Sequence, residues 1–209
     1  ALARAGCRTF YVAHLSEAAR LRAIAPEAAV YVLNGLPPGS APRYADLNAR
    51  PVLGSLEEIA EWRAAGGGPS ALHVDTGMNR LGLRPDEAAG LDLAGLGVDT
   101  ILSHFASSEM PDEPINTAQR TAFDLVRRQW PDKCASMPNS SAFFHEECQF
   151  VGQFRAGYAL YGGNPTPHRA NPMQPVVYLT APIIQIRTVP RGETVGYNQR
   201  WTARRDSII

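Results

Sequence analysis

The chain has 209 residues, 44% of them hydrophobic, with 20 basic side chains against 20 acidic ones and a formal net charge of zero. That length suits one sizeable domain, or one domain and part of another, and the charge balance offers no footprint for nucleic acid or an anionic membrane surface. No apolar run approaches the ~20 residues that span a bilayer, and the N-terminus lacks the basic-then-apolar layout of a signal peptide. Cys7, Cys134 and Cys148 have an odd count and no metal-type spacing. Reduced thiols in a cytoplasmic protein are expected, with no metal site and no disulfide framework.

ALARAGCR reads as the tail of a helix and RRDSII as the front of a strand, so a segment of a longer polypeptide is expected. Between them, short β-branched and aromatic runs alternate with helical stretches, the pattern of βα units around a parallel sheet. The predicted strands are Thr9 to Ala13, Val30 to Asn34, Pro51 to Gly54, Leu72 to Thr76, Thr100 to Phe105, Cys134 to Asn139 and Gln153 to Tyr161. Ser55 and Glu58 form an S-x-x-E capping box before LEEIAEWRAA, and Gly66 to Gly68 stop that helix. In PINTAQRTAFDLVRRQWP, Asn116 is the expected cap of a helix whose apolar face runs Ala118, Ala122, Leu125 and Val126, ended by Pro131.

Seven such units predict an α/β fold, a (β/α)8 TIM-type barrel lacking its first strand, since complete barrels take about 250 residues. An open doubly wound sheet is the alternative, weakened because no G-x-G-x-x-G follows the first strand. After Pro165 the pattern changes. TPHRANPMQP is a Pro-rich connector, and VVYLTAPIIQIRTV with the turn PRGE alternates like antiparallel strands. The expected domains are therefore a barrel over 1–165 and the start of a β-rich domain over 174–209.

Barrel chemistry sits just past the strands. DTGMNRLGL places Asp75, Asn79 and Arg80 in one loop, HFASSE puts His104 at a strand end, and PNSSA offers Asn139, Ser140 and backbone amides suited to a phosphate. Taken singly, each has a structural reading: a Gly-containing turn, a satisfied histidine, a common Asn-Ser-Ser turn. Arg155 interrupts an otherwise apolar strand in QFRAGYALYGG, and a buried arginine needs an acceptor or a ligand.

In order and spacing, HVDTGMNRLGL, SHFASSE, PNSSA, FRAGYALYGGNP and VGYNQRWTA resemble the alanine racemase family, pyridoxal-phosphate enzymes with a barrel followed by a β-domain. The resemblance runs through nearly the whole chain. It implies interconversion of L- and D-alanine through a pyridoxal 5'-phosphate aldimine by a two-base lysine/tyrosine mechanism, supplying D-alanine for peptidoglycan. It implies that Arg155 donates to the pyridine nitrogen and that His104 links Arg155 to the catalytic Tyr197. Arg80 would meet the cofactor's phenolic oxygen and the substrate carboxylate. Ser140, with the amides of Gly157 and Tyr158, would hold the phosphate, and Asn139 would support that cradle. Tyr197 would enter the other subunit's site, implying a homodimer; as a free phenol with a pKa near 10 it needs nearby positive charge to act at neutral pH.

The sequence departs from the family's pattern in two places. Lys133 is the only lysine, and it precedes its strand in PDKC, so the Schiff-base lysine of a K-A-x-x-Y-G segment has no counterpart and the 209 residues alone are expected to be inactive. His73 stands where many relatives carry a carbamylated lysine that positions the arginine matching Arg80. Two other readings remain: a racemase or decarboxylase of the same fold acting on another amino acid, and a non-catalytic cofactor-binding barrel.

Overall fold

The computed structural model describes residues 1–144, 150 and 152–209; Cys148 lies outside the described residues. Seven parallel strands, β1 (Thr9–Val12), β2 (Ala29–Val32), β3 (Arg50–Leu53), β4 (Ser70–His73), β5 (Val98–Leu102), β6 (Cys134–Asn139) and β7 (Gln153–Arg155), form one sheet in sequential order. After them come α1 (Leu15–Arg22), α2 (Ala41–Asp46), α3 (Leu56–Ala64), α4 (Pro85–Ala88), α5 (Pro114–Arg127), α6 (Ser140–Phe143) and α7 (Gly157–Leu160). This is a nearly closed (β/α) barrel. No ladder joins β1 to β7 among the described residues; instead the Tyr11 hydroxyl on β1 donates to the Gln153 side-chain carbonyl on β7.

Strand parity sorts the core into two layers. On β2, Val30 and Val32 face the helices and pack with Leu53, Ile59, Trp62, Leu72, Ile101 and Phe123. Tyr31 between them faces the barrel interior with Val52, Ala71 and Leu102. Each fully buried large apolar side chain contributes on the order of 2 kcal/mol, so a one-residue register slip on any strand would exchange the layers and lose several such contributions at once.

Local signals hold in part. Ser55 Oγ accepts from the Glu58 N–H at 3.2 Å and starts α3 as expected. The reciprocal half of the box differs: the Glu58 carboxylate accepts from Gly54 N at 2.6 Å and Leu36 N at 3.0 Å, tying two βα loops together. Asn116 is not the cap of α5. Glu113 holds that position and Pro114 opens the helix, its fixed φ suiting the first turn. The buried face of α5 is Asn116, Gln119, Phe123 and Val126, while Ala118 and Leu125 are exposed. Hydropathy reads two amides as solvent-facing, but here they are buried because the loop after β5 occupies them. Asn116 Nδ2 donates to Ser107 O and Met110 O, and Gln119 bonds both His104 O and Ala106 N.

Three further expectations are corrected. The opening residues form a turn closed by Ala5 N to Ala1 O at 3.1 Å, not a helix. β7 ends at Arg155 instead of running to Tyr161, because Ala159 N–H is taken by Ser140 Oγ at 3.0 Å and Gly157–Leu160 turns helical. Residues 177–209 form a separate compact unit in which the expected long alternating strand shortens to β8 (Thr188–Val189), paired with β11 (Ser207–Ile208), beside β9 (Thr194–Val195) paired with β10 (Trp201–Thr202). A strand persists only where a neighbour supplies ladder partners. Among the described residues no helix is long and apolar enough to cross a membrane, and no group of three or more metal-ligating side chains occurs.

Candidate active site at the C-terminal end of the barrel

Arg155 is the last residue of β7 and projects inward with Gln153, two positions earlier. Its Nη1 donates to Ser136 Oγ at 2.6 Å, and its Nη2 donates to Ser103 O at 2.5 Å and to His104 Nδ1 at 3.0 Å. A guanidinium only donates, so Nδ1 of His104 must be the accepting nitrogen, and the neutral ring carries its proton on Nε2. The Nε–H of Arg155 has no acceptor among the described residues, and no carboxylate pairs with this cation. Burial lowers the Arg155 pKa to about 10, which leaves it charged at neutral pH.

His104 is pushed down to about 4, by burial first and then by the Arg155 and Arg80 cations. His73, buried at the end of β4, is likewise lowered to about 4 by burial and then Arg155, with Asp75 pulling the other way. Both imidazoles are neutral near pH 7. The His73 ring makes no hydrogen bond among the described residues and is covered by backbone. At Gly82, which has φ +109°, a Cβ would lie 3.1 Å from that ring and 2.8 Å from Asp75 N. Only glycine allows this close passage.

The loop between them is organised by Asp75. Its Oδ1 accepts from Gly77 N and Met78 N at 2.8 Å each, and Oδ2 accepts from Arg80 N at 3.0 Å. Asn79 takes the left-handed conformation, φ +55°, that this tight turn requires. Thr76 Oγ1 meets Ser103 Oγ at 2.8 Å, joining this loop to the residue whose carbonyl holds Arg155. Arg80 is exposed, and its charge is felt by both histidines.

Across the same end, Asn139 caps α6: its Oδ1 accepts from Ala142 N at 3.1 Å and from the Ser108 hydroxyl at 2.8 Å. Asn139 is also the register partner of Arg155. Ser140 Oγ accepts from Ala159 N and so ties α6 to α7. A Cβ at Gly157 would meet nothing within 4 Å, so open space adjoins the first backbone amides of α7, which have no intrahelical acceptor. Tyr158 is exposed, and a Cβ on Gly163 would lie only 2.3 Å from its ring.

Seven of the predicted site residues thus share one end of the barrel. His104 and Arg155 are in contact, Arg80 acts on them electrostatically, and Asn139, Ser140, Gly157 and Tyr158 line the adjoining rim. Tyr197 belongs to the 177–209 unit, where it opens a 3-10 turn and is 97% exposed. Lys133 sits at the opposite, N-terminal end of β6, half-buried and 2.9 Å from Asp132. Sequence reasoning missed Ser103, Ser136 and Tyr11. A signal existed for Ser136: Arg155 demanded inward-facing acceptors, and Ser136 is the hydroxyl on the inward parity of CASMPN.

A profile described as alanine racemase, N-terminal domain, matches residues 1–165. Alanine racemase of Methylobacterium sp. (strain 4-46) is 55% identical over 212 residues, covering 97% of this chain and 58% of that protein. The alanine racemase of Acidiphilium cryptum is 50% identical over 218 residues, covering 100% of this chain and 61% of that protein. The crystal structure of alanine racemase from Bartonella henselae, with covalently bound pyridoxal phosphate, matches with a TM-score of 0.88 at 32% identity, over 99% of this chain and 61% of that one. The chain spans about three fifths of the length of the relatives it matches.

Proposed function

Because the chain belongs to the alanine racemase family, we propose that it is the cofactor-holding barrel, with the opening of the second domain, of an enzyme that interconverts L- and D-alanine using pyridoxal 5'-phosphate. The observation that carries this reading is the Arg155 and His104 pair: a fixed cation with an unoccupied N–H beside a neutral imidazole of defined tautomer. The residues fit the cofactor. Arg155 Nε–H is a donor without an acceptor among the described residues, and the open space at Gly157 beside Ser140 offers backbone amides to a phosphate.

In this reading Ser140 and the amides of Gly157 and Tyr158 hold the phosphate, and Asn139 fixes the turn that presents them. Arg155 donates to the pyridine nitrogen and, keeping its own protons, leaves that nitrogen unprotonated. Bound pyridoxal phosphate supplies an electron sink that acidifies the substrate's α-carbon, and an unprotonated ring nitrogen weakens that sink. Arg80 presents a planar fork to the substrate carboxylate and to the cofactor's phenolic oxygen. His104, with Nδ1 engaged by Arg155, offers Nε2–H to the Tyr197 oxygen of a second copy. That hydrogen bond and the cation behind it favour the phenolate and make Tyr197 able to take or return the α-proton at neutral pH.

Racemisation needs a second base on the other face of the α-carbon. Lys133 does not supply it, being at the far end of the barrel beside Asp132. The family's cofactor-bearing lysine has no counterpart among these 209 residues. A cytoplasmic homodimer supplying D-alanine to peptidoglycan completes the proposal. Two relatives at 40% identity are named alanine racemase, catabolic. The deciding experiment incubates the purified enzyme of which this chain is part, with its cofactor-bearing lysine, with pyridoxal phosphate and L-alanine and resolves the enantiomers over time. Equal amounts of both forms at equilibrium support the reading; unchanged L-alanine, with turnover of a different amino acid, overturns it.

A further inference from the structure

Arg155 is held in its own plane by hydrogen bonds, but those bonds do not determine what lies against its face. The Tyr11 ring does: Arg155 Cζ is 5.7 Å from its centroid. Tyr11 in turn stacks on Tyr31, with centroids 4.9 Å apart and planes 14° apart, and Arg50 Cζ lies 5.3 Å from the Tyr31 centroid. The interior of the barrel is therefore a column of cation, ring, ring, cation running from its N-terminal mouth to the candidate active site.

Tyr11 is bound to Arg155 by a second route. Its hydroxyl donates to the Gln153 side chain, the backbone carbonyl of Gln153 accepts from Ser136 Oγ at 3.0 Å, and Ser136 Oγ accepts from Arg155 Nη1 at 2.6 Å. The loop closes through space where the ring meets the guanidinium. Among the described residues, every other group on Arg155 is neutral: a hydroxyl, a carbonyl and an imidazole. A carboxylate would balance the charge more strongly, but it would also accept the remaining N–H groups. An aromatic face attracts the cation through its quadrupole and takes up none of its in-plane donors.

We propose that Tyr11 is a positioning residue for Arg155, its ring setting the tilt of the guanidinium so that the free Nε–H is presented to the pyridine nitrogen of the cofactor. This rests on the function proposed above. The hydroxyl anchors the ring; the π face performs the positioning.

The test compares variants in the purified holoenzyme of which this chain is part, reading kcat and KM for alanine, the absorption spectrum of the bound cofactor and the unfolding midpoint. Tyr11→Phe keeps the face and is expected to retain kcat within about threefold and an unchanged spectrum. Tyr11→Leu removes the face; kcat is expected to fall about tenfold or more with KM changed less than about twofold, together with a displaced cofactor spectrum. Phenylalanines carrying one, two and three ring fluorines at position 11 weaken the face at nearly constant shape. They are expected to lower kcat stepwise at an unchanged unfolding midpoint, and they decide the matter should the leucine variant fail to fold. A flat fluorine series, or a leucine variant with wild-type spectrum and kcat, overturns the inference while leaving the racemase reading intact. An unaltered enzyme that neither binds pyridoxal phosphate nor racemises alanine overturns both.

Discussion

The two mouths of the barrel each contain an arginine against a tyrosine ring, yet the two cations are treated oppositely. At the N-terminal mouth Arg50 Nη1 lies 2.6 Å from Asp99 Oδ2 and also donates to the Tyr31 hydroxyl, so its charge is matched. At the C-terminal mouth Arg155 meets only neutral acceptors and a ring among the described residues, and two of its five N–H groups, Nε–H among them, are left over. Burial makes an unpaired cation costly, and it weighs more on Arg155 than on the partly exposed Arg50. A site that leaves the cost uncompensated keeps a donor available. The comparison separates an arginine that closes a structure from one that awaits a ligand.

The strongest way to break that comparison is to remove the unmatched cation. Arg155→Met is expected to lower kcat by on the order of 10³, the size of losing a preorganised electrostatic donor. It should leave the unfolding midpoint unchanged or higher, because a desolvated charge without a carboxylate partner is replaced by apolar bulk. Arg155→Lys should rescue little, since an ammonium cannot satisfy Ser136, Ser103 and His104 while presenting a further donor in the same plane. Turnover paired with thermal unfolding checks both. A variant that loses stability in proportion to activity would make Arg155 structural, like Arg50.

A smaller effect separates the ends by pH. His73 and His104 both lie toward the C-terminal end with folded pKa values of about 4, against an ordinary 6.5. Because the folded values are depressed, the unfolded chain takes up protons first as pH falls. Stability is therefore complete near pH 7, declines from about pH 6.5, and is lost progressively toward pH 4. For the well-buried His73 alone the loss at pH 5 is about 2 kcal/mol. His73→Gln should remove that portion of the slope, read as denaturant midpoints at pH 7 and pH 5. An unaltered slope would mean the ring is hydrated and titrates as a free histidine.

How far the sequence foretold this divides along the same line between local and tertiary causes. Cys134–Asn139 is read with its full bounds, and β1 to β5 within a few residues, because parallel strands buried on both faces are short apolar runs. His104 and Arg155 stand out because polar residues at strand ends break those runs. The face of α5 was misread because Asn116 and Gln119 are buried by hydrogen bonds to the loop at 104–110, which no hydropathy period records. The extent of β7 was misread for a related reason, since Ser140 Oγ captures Ala159 N from a distant element. Tyr11 carried no motif. Its significance comes from register, which sets it beside Tyr31, and from the approach of Arg155 to its face.

The mildest perturbation falls on the matched cation and sharpens the contrast most. Arg50 and Asp99 are partly exposed, with 28% and 39% of their side-chain surfaces open to solvent, so water compensates much of what the pair contributes. Arg50→Met leaves Asp99 with the Tyr31 hydroxyl at 2.5 Å and the Thr100 hydroxyl at 2.8 Å as donors. The expected destabilisation is about 1 kcal/mol, read from chemical denaturation, with kcat and KM for alanine unchanged. The Tyr31 ring would lose its cation, but the contact between Tyr11 and Arg155 at the other end would persist because Tyr31 still supports it. A fall in kcat without a fall in stability would instead show that the column conducts strain from one mouth to the other. Arg50 would then be a remote contributor to the orientation of Arg155 and not a closure of the barrel floor.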